Sequence, residues 1–270
     1  MSDLPQLLVS RFGTPFRVGS TSYVYPADIL PNVERLAADG DGDDIELILF
    51  EVDDGPNNLP DGSTVWRLID LAARHGLTYT VHLPLDLQFG GSGAVQHQSL
   101  VKAERVIKTT LPLDPFAYVF HLDGAGVGES GWVAQALKAL EQVIGWAGRP
   151  ERLAVENLEA WEPAHLDPIL EALPISRTTD IGHLWKMGRD PLTVLESWLP
   201  RTRVIHLHGL GDCDHKSLAL MPPARLDPVV RCLRSYHGVV TLEVFDTADF
   251  FSSRKALLDS AARTSNETEP

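Results

Sequence analysis

The stretch Arg203–Leu218, RVIHLHGLGDCDHKSL, joins a short buried strand to a dense group of polar residues. After a β-branched and apolar start, His206 and His208 lie two residues apart, so both side chains point to one face of the strand. A glycine-containing turn leads to Asp214 and His215. Imidazoles and carboxylates packed this densely are costly to bury unless something such as a divalent metal ion pairs them. The stretch therefore indicates metal binding, and the alternative is a polar turn with solvated histidines.

Outward from this stretch, a strand followed by a helix repeats eight times along the chain. The predicted strand ends are about 31 residues apart, which is the size of one βα unit. They lie at Tyr23, Glu51, His82, His121, Glu156, Asp180, His206 and Glu243. Eight such units predict an α/β fold, a (β/α)8 TIM barrel, as a single domain over residues 1–263 with a flexible tail over 264–270. An open doubly wound sheet would need a glycine fingerprint after the first strand, and GSTSY is not one.

Amphipathic stretches between these strands predict the helices. The first ends near Ala38, and the others cover residues 64–75, 100–108, 132–146, 163–173, 191–198, 228–235 and 254–262. A glycine directly after the second helix, Gly76, is typical of a helix C-cap.

The composition limits the function classes. The chain has 270 residues, 44% of them hydrophobic, and a net charge of -14, which argues against a long electrostatic footprint on nucleic acid. The two cysteines, Cys213 and Cys232, form no disulfide framework, and the N-terminus lacks the pattern of a signal peptide. No apolar run is long enough to span a bilayer. We therefore expect a cytoplasmic protein without a membrane partner, and the oligomeric state stays open.

Nearly every predicted strand from the second onward ends on Glu, Asp or His. Because the carboxyl ends of barrel strands converge, these side chains should face one mouth, where carboxylates would repel each other without cations between them. Nitrogen and oxygen ligands without thiolates suit zinc, manganese or iron, and more than four ligands imply more than one ion. The candidate ligands are His82, His121, Glu156, Asp180, His183, His206, His208, Asp214, His215 and Glu243.

This set resembles that of the xylose-isomerase-like barrel superfamily, which holds sugar isomerases, epimerases and endonuclease IV. The core set of the superfamily is Glu, Asp, His and Glu on the last four strands. Its matches here are Glu156, Asp180, His208 or His206, and Glu243. Endonuclease IV has further ligands, and their matches are His82, His121, His183, Asp214 and His215. Single-metal sugar enzymes generally lack the additions, so the resemblance implies a site with two or three ions, zinc first, and phosphodiester cleavage.

A closer resemblance covers almost the whole chain and points to the cobamide-remodelling phosphodiesterases, the CbiR family. The ordered motifs are GSTSYVYPADILPNVERLA, DDIELILFE, HLPLDL, FHLDG, ENLE, DIGHLW, HLHG with DHKSL, and LEVF. The resemblance implies hydrolysis of the nucleotide-loop phosphodiester of a corrinoid substrate, which gives cobinamide and the lower-ligand nucleoside phosphate. One departure is that Asp214 and His215 are adjacent, whereas endonuclease IV separates the two ligands by one residue. Asp212 therefore stays an alternative to Asp214 as a ligand.

The resemblance also implies residue roles. Glu156 would be a catalytic, bridging ligand and Glu243 a ligand or base. Lys216 would neutralise a phosphate oxygen, or is simply a solvated lysine. The sugar-epimerase pattern favours His208 over His206 as the core ligand. Residues expected to contact the substrate at the mouth of the first two strands are Thr21, Ser22, Tyr23 and Glu51, and Glu51 has a helix cap as its alternative.

A further expectation concerns the substrate, and other functions compete with the one that the resemblance implies. Apolar and aromatic side chains near several strand ends would pack against a corrin or its base, or belong to the barrel packing; they are Tyr23, Leu87, Phe89, Trp161, Trp185 and Phe245. The competing functions are a single-metal sugar-phosphate isomerase or epimerase, an endonuclease IV-like abasic-site endonuclease, and a non-catalytic corrinoid-binding protein.

Overall fold

The computed structural model of the protein describes residues 9–49, 57–84, 86–90, 93–94 and 97–265. Glu51, one of the expected substrate contacts, lies outside these residues. Eight strands are present in the described part of the chain. They are β1 (Arg17–Thr21), β2 (Asp44–Ile48), β3 (Thr78–His82), β4 (Ala117–Phe120), β5 (Leu153–Glu156), β6 (Ser176–Asp180), β7 (Thr202–Leu207) and β8 (Val239–Leu242).

All eight strands are parallel and close into one barrel in chain order. The closure is visible at Gly19, which lies opposite Asp44 of β2 on one side and Thr241 of β8 on the other. A Cβ at this position would lie 3.1 Å from Oγ1 of Thr241, so a glycine lets the first and last strands approach closely. This topology confirms the predicted (β/α)8 barrel.

Helices follow the strands as predicted, with two differences. They are α1 (Ile29–Asp39), α2 (Gly62–His75), α3 (Gln98–Thr110), α4 (Trp132–Ala147), α5 (Asp167–Ala172), α6 (Ile181–Lys186), α7 (Leu192–Trp198), α8 (Pro223–Cys232) and α9 (Thr247–Ser265). The short helix α6 is not among the predicted elements. Helix α9 continues past the predicted end of the domain, and Thr264 is buried, with its hydroxyl donating to the carbonyl of Ser260 at 2.9 Å. The predicted tail therefore begins inside a helix. No helix in the described residues is long and apolar enough to cross a membrane.

Helix α2 shows how the local sequence sets these bounds. The carboxylate of Asp61 accepts a hydrogen bond from the backbone N–H of Thr64 at 2.7 Å and so caps the first turn. At the other end Gly76 has φ 64, the left-handed conformation that glycine adopts without steric cost, as its position in the sequence predicts. Leu68 and Leu71 on the intervening face are buried, which packs the helix against the barrel.

The barrel interior has a polar layer above an apolar one. Glu46 of β2 and His206 of β7 belong to strands that are not neighbours, yet their side chains are 3.0 Å apart, so both point into the interior. Side chains alternate along a strand, so Val204, two residues before His206, points the same way. It belongs to a cluster of buried apolar residues, namely Phe116, Ala117, Val119, Ala154, Val204 and Val239. The polar groups thus lie towards the carboxyl ends of the strands, where TIM-barrel active sites form.

Candidate metal centre

Three groups of donor atoms surround Glu156 at the carboxyl end of the barrel. The first group consists of His82, His121 and Glu156. The Nε2 atoms of His82 and His121 lie 3.6 and 3.1 Å from Oε2 of Glu156. The Nδ1 atom of His82 lies 2.8 Å from the carbonyl of Leu83, and that of His121 lies 3.0 Å from Oδ1 of Asp86. Such partners on Nδ1 leave Nε2 as the nitrogen that can bind an ion.

The second group gathers three carboxylates around His206. Its Nδ1 atom lies 3.1 Å from Oε2 of Glu243, 3.4 Å from Oε1 of Glu156 and 3.9 Å from Oδ2 of Asp180. All four side chains are buried. The structure therefore brings together the core set of the superfamily with His206 in it. The expectation that His208 takes this place is not what the geometry favours, because His206 lies among the carboxylates.

The third group consists of His183, His208 and His215. The rings of His208 and His215 are stacked, with centroids 4.3 Å apart, and His183 meets His215 edge-on at 5.9 Å. Asp180 connects this group to the second, because its Oδ1 atom lies 3.4 Å from Nε2 of His208 and its Oδ2 atom 3.4 Å from Nδ1 of His183. Its carboxylate also accepts from the backbone N–H of His183 at 2.6 Å, which caps the unpredicted helix α6. The DIGH motif thus builds its own helix cap while it positions a histidine.

The predicted ligand Asp214 is engaged by a lysine. The ammonium of Lys186 lies 2.5 Å from Oδ2 of Asp214 and 2.8 Å from Oε1 of Glu159. The two carboxylates and His183 form a further donor group beside the third one. The hydrogen bond from Lys186 lowers the pKa of Asp214 to about 2. Asp214, rather than Asp212, is thus the aspartate that the structure places near the histidines.

The donor atoms fit divalent ions. Within each group they lie within 4.8 Å of one another, a spacing that suits ligands at about 2.0–2.3 Å from a shared zinc ion. Several buried donors also make no well-aligned hydrogen bond within the described residues. These are Asp180 Oδ2, His206 Nδ1, His208 Nε2 and Glu243 Oε2. Unpartnered buried polar atoms are costly, and their convergence on one small volume is what a metal centre requires.

Electrostatics couples the histidines to the carboxylates. Burial alone would lower the pKa of His121, but the carboxylates of Glu156 and Asp86 raise it to about 10. Burial would also lower the pKa of His215, but the carboxylate of Glu243 helps to raise it to about 9. Burial would raise the pKa of Glu156, yet His206 and His121 hold it well below its usual value. The carboxylate of Glu156 is thus ionised and attracts cations, either protons on the imidazoles or metal ions.

The substrate residues predicted on β1 have mainly structural contacts. Thr21 and Ser22 are fully buried. The hydroxyl of Thr21 donates to the carbonyl of Val244 at 2.7 Å, and that of Ser22 accepts from the backbone N–H of Ile48 at 3.1 Å. Neither residue presents surface to a ligand in this structure, and their expected contact with a substrate stays a prediction. Tyr23 is half-buried, and its hydroxyl accepts from the side-chain amide of Asn58 at 2.8 Å.

Lys216 is a further residue that the sequence predicts to be catalytic. Its ammonium is partly exposed and lies 3.8 Å from Oδ2 of Asp249. The backbone of Lys216 pairs with Gly209, which brings the end of the DCDHK loop back onto the end of β7. The lysine thus lies at the rim, next to the loop that presents His215.

Three acidic residues of the centre were missed in the sequence. Glu46 lies in the middle of β2, whereas the ligands predicted from the sequence lie at or after the strand ends. Asp86 lies within HLPLDL and Glu159 within ENLE, and the motifs gave no reason to single them out. Alternation along IELI could have shown that Glu46 points to one face of its strand, but not that this face is the interior.

A cavity of about 210 Å³ opens beside the first two groups. It is lined by Ile48, His82, Leu83, Pro84, Asp86, His121, Glu243 and Phe245. Phe245 is 45% exposed and its ring centroid is 5.5 Å from that of His215, so it offers an aromatic surface next to the donors. Of the other apolar residues expected to meet a substrate, Leu87, Phe89 and Trp185 are buried in the core, so the alternative of barrel packing holds for them.

Solved structures of several proteins contain the same barrel. Endonuclease IV from Thermus thermophilus has a TM-score of 0.67 and 19% identity, over 91% of this chain and 100% of that chain. A D-tagatose 3-epimerase-like protein has a TM-score of 0.70 and 17% identity, over 93% of this chain and 98% of that chain. A xylose isomerase domain protein from Alicyclobacillus acidocaldarius subsp. acidocaldarius has a TM-score of 0.65 and 16% identity, over 93% of this chain and 99% of that chain. The fold is that of the xylose-isomerase-like barrels.

The same comparisons give no narrower family. No protein-family profile matches the sequence, and no curated protein matches it. Identities below 20% show the fold alone, and both epimerases and an endonuclease share it. The resemblance to the cobamide phosphodiesterases therefore stays a prediction.

Proposed function

We propose that this protein is a metal-dependent phosphodiesterase that binds two or three divalent ions and hydrolyses the nucleotide loop of a cobamide. The observation that supports the metal-dependent hydrolysis is the clustering of four histidines around the core set. They are His82, His121, His183 and His215. A sugar epimerase with one ion would have no use for these donors, whereas a polynuclear site is a common solution for cleaving phosphodiesters.

The surroundings of Glu156 argue in the same direction. An epimerase must bring a basic atom to a carbon-bound proton of the sugar, within hydrogen-bond reach. Here Oε2 of Glu156 faces His82 and His121, while Oε1 lies 3.4 Å from His206 and 3.5 Å from His183. Both oxygens thus point to imidazoles, which suits a bridging ligand better than a base that acts on carbon.

Each group has a distinct role in the proposed reaction. His82, His121 and Glu156 would hold one ion, the core set a second, and His183, His208 and His215 a third. Bound divalent ions would supply Lewis acidity to the phosphate oxygens. Glu243 and Asp86 both line the cavity, and either carboxylate can accept a proton from an attacking water there. Lys216, at the rim, would attract the phosphate.

The substrate class rests on the ordered motifs of the chain, and two features of the structure suit it. Phe245 gives the rim an exposed aromatic surface, on which a planar base can pack. The cavity beside the donors, about 210 Å³, can hold a phosphodiester group while a bulky corrin stays outside it. The net charge of -14 disfavours the alternative of a nucleic-acid substrate.

The test is an assay with adenosylcobalamin and protein loaded in turn with zinc, manganese and iron(II). We expect release of cobinamide and the lower-ligand nucleoside phosphate, seen by mass spectrometry and by a shift of the corrin spectrum as the base leaves cobalt. Glu156→Gln is the inactive control. An unchanged spectrum under all three metals, together with epimerisation of a ketose or nicking of an abasic-site duplex, would replace the proposal by one of its alternatives.

A further inference from the structure

Glu46 is a buried carboxylate inside the barrel that is absent from the ligands predicted from the sequence, although its side chain forms a further donor group with His82 and Glu243. It is fully buried in the middle of β2. Its Oε2 atom lies 3.0 Å from Nε2 of His206, a residue 160 positions further along the chain. A buried carboxylate costs free energy unless it is paired, and a hydrophobic residue would fill this interior position at lower cost. A specific role for this side chain is therefore expected.

The two ring nitrogens of His206 face opposite partners. Nε2 faces Glu46, while Nδ1 faces Glu243 at 3.1 Å and Glu156 at 3.4 Å. A neutral imidazole carries one proton, and a carboxylate beside Nε2 holds that proton there. Nδ1 faces the carboxylates of the core set, so its lone pair is the one that an ion bound among them would take.

We propose that Glu46 is a positioning residue for the metal centre: it fixes the tautomer and the ring orientation of His206, so that Nδ1 is the nitrogen that binds the ion. The inference rests on the proposed function only in that the core set binds a metal. Carboxylate partners of this kind typically change metal affinity by about 10–100-fold when they are removed. The ring of His206 also lies near that of His82, with centroids 6.1 Å apart at 22°, so a rotated His206 would disturb the first group as well.

Two substitutions separate positioning from other roles. Glu46→Gln keeps a carbonyl oxygen that accepts from Nε2–H, whereas Glu46→Leu fills the space without an acceptor. We expect the leucine variant to lose about 10–100-fold in zinc affinity, measured by chelator competition, and the glutamine variant to stay within about tenfold of the wild type. Asp44→Asn, which removes another buried carboxylate of the same strand, is the matched control and should leave the affinity unchanged.

Nitrogen-15 spectra of the histidine rings give a readout that general loss of packing would not mimic. In the zinc-loaded wild type and the glutamine variant, His206 should show a protonated Nε2 and a metal-bound Nδ1, assigned by its absence in His206→Asn. In folded Glu46→Leu this pattern should be lost. An unchanged His206 spectrum in the leucine variant would overturn the inference. Equal loss of ions in both Glu46 variants would also overturn it, because Glu46 would then be a ligand.

These readouts do not depend on cobamide cleavage. Zinc binding with the expected ring pattern and no hydrolysis would refute the proposed substrate and leave the role of Glu46 intact. Cobamide hydrolysis, together with a His206 spectrum that Glu46→Leu leaves unchanged, would refute the role of Glu46 and leave the proposed function intact.

Discussion

Glu156 and His121 contact each other across neighbouring strands, with Oε2 of the carboxylate 3.1 Å from Nε2 of the imidazole. The second oxygen of Glu156 lies 3.4 Å from Nδ1 of His206. One carboxylate thus serves two groups of donors, and burial makes its charge important to both.

Glu156→Gln should therefore abolish turnover and remove at least one ion per chain, because it deletes the shared charge and keeps the shape. Metal content after purification without chelator, together with the cobamide assay, measures both effects. Glu162→Gln, an exposed change nearby, is the control. Full metal occupancy and normal turnover in Glu156→Gln would contradict a polynuclear site.

The paired histidines of β7 give the second prediction. His206 lies among the carboxylates of the core set, while His208 is stacked on His215 in another group. We expect His206→Ala to lose the ion of the core set, and His208→Ala to weaken only the ion of the third group. Metal analysis of each variant tests this order. A far larger loss in His208→Ala would restore the assignment that the sequence favours.

The sequence predicts the barrel well because each βα unit has its own signal, with a buried strand, a polar strand end and an amphipathic helix. The candidate ligands follow from the predicted strand ends, since the carboxyl ends of the parallel strands in a barrel must converge. The choice between His206 and His208 does not follow. Both point to the same face, and only the closed barrel places His206 among three carboxylates and His208 beside Asp180. The contact between Glu46 and His206 does not follow from the sequence either, because it forms only when the barrel closes and brings together two residues that are 160 positions apart.

The expected substrate contacts of Thr21 and Ser22 illustrate a related limit of the sequence pattern. Their position at the end of β1 is as predicted, but their hydroxyl groups are used by backbone partners on neighbouring segments. Small polar side chains at a barrel mouth can satisfy the backbone as readily as a substrate. Sequence pattern does not distinguish the two uses.

Metal binding should depend on pH in a defined direction. Burial opposes the charged imidazoles, yet the neighbouring carboxylates hold the pKa of His121 at about 10 and that of His215 at about 9. At neutral pH both rings are therefore doubly protonated, and the second proton must leave each ring when it binds a metal. Zinc affinity should thus rise between about pH 6 and about pH 9, by up to about tenfold per unit for each proton released.

Calorimetry in buffers of different ionisation enthalpy measures the protons released on zinc binding. His237→Gln, a change at an exposed histidine remote from the donors, should behave as the wild type. Zinc binding without proton release would show that the histidines of the centre are neutral before the ion arrives.

Lys186 should weaken binding of an ion at the third group. Its ammonium lies 2.8 Å from Glu159 and 2.5 Å from Asp214, so it holds two carboxylates that could otherwise serve a cation near His183. Lys186→Met should strengthen the weakest of the bound ions by about fivefold, since one like charge at short range in a solvated site costs about 1 kcal/mol. Zinc titration of the variant measures this change.

Lys255→Met is the matched control, because it removes an exposed lysine that is paired with Asp259 on α9. Weaker binding of the last ion in Lys186→Met would mean that the lysine supports the third group, by holding Asp214 in place.

The last prediction concerns stability and the buried Asp44. Burial raises the pKa of its carboxyl from 3.8 to about 7, against the hydrogen bond from Thr78 and the charge of Arg17. Because the folded-state pKa lies above the unfolded one, the folded protein binds more protons between these values. This contribution to the free energy of unfolding is present at low pH and is lost as the pH rises to about 7. Asn mimics the protonated carboxyl and does not titrate.

Asp44→Asn should therefore gain stability relative to the wild type as the pH rises from about 4 to about 7, by up to about 1.4 kcal/mol per pH unit. The attraction to Arg17 acts only on the ionised carboxylate and is already contained in the pKa of about 7, so it adds no separate cost. Urea unfolding of both proteins at several pH values, with chelator throughout, gives the difference. Asp259→Asn, on the exposed face of α9, controls for loss of an aspartate. A constant difference between Asp44→Asn and the wild type across this range would show that the buried carboxyl is ionised throughout it, held in that state by Arg17.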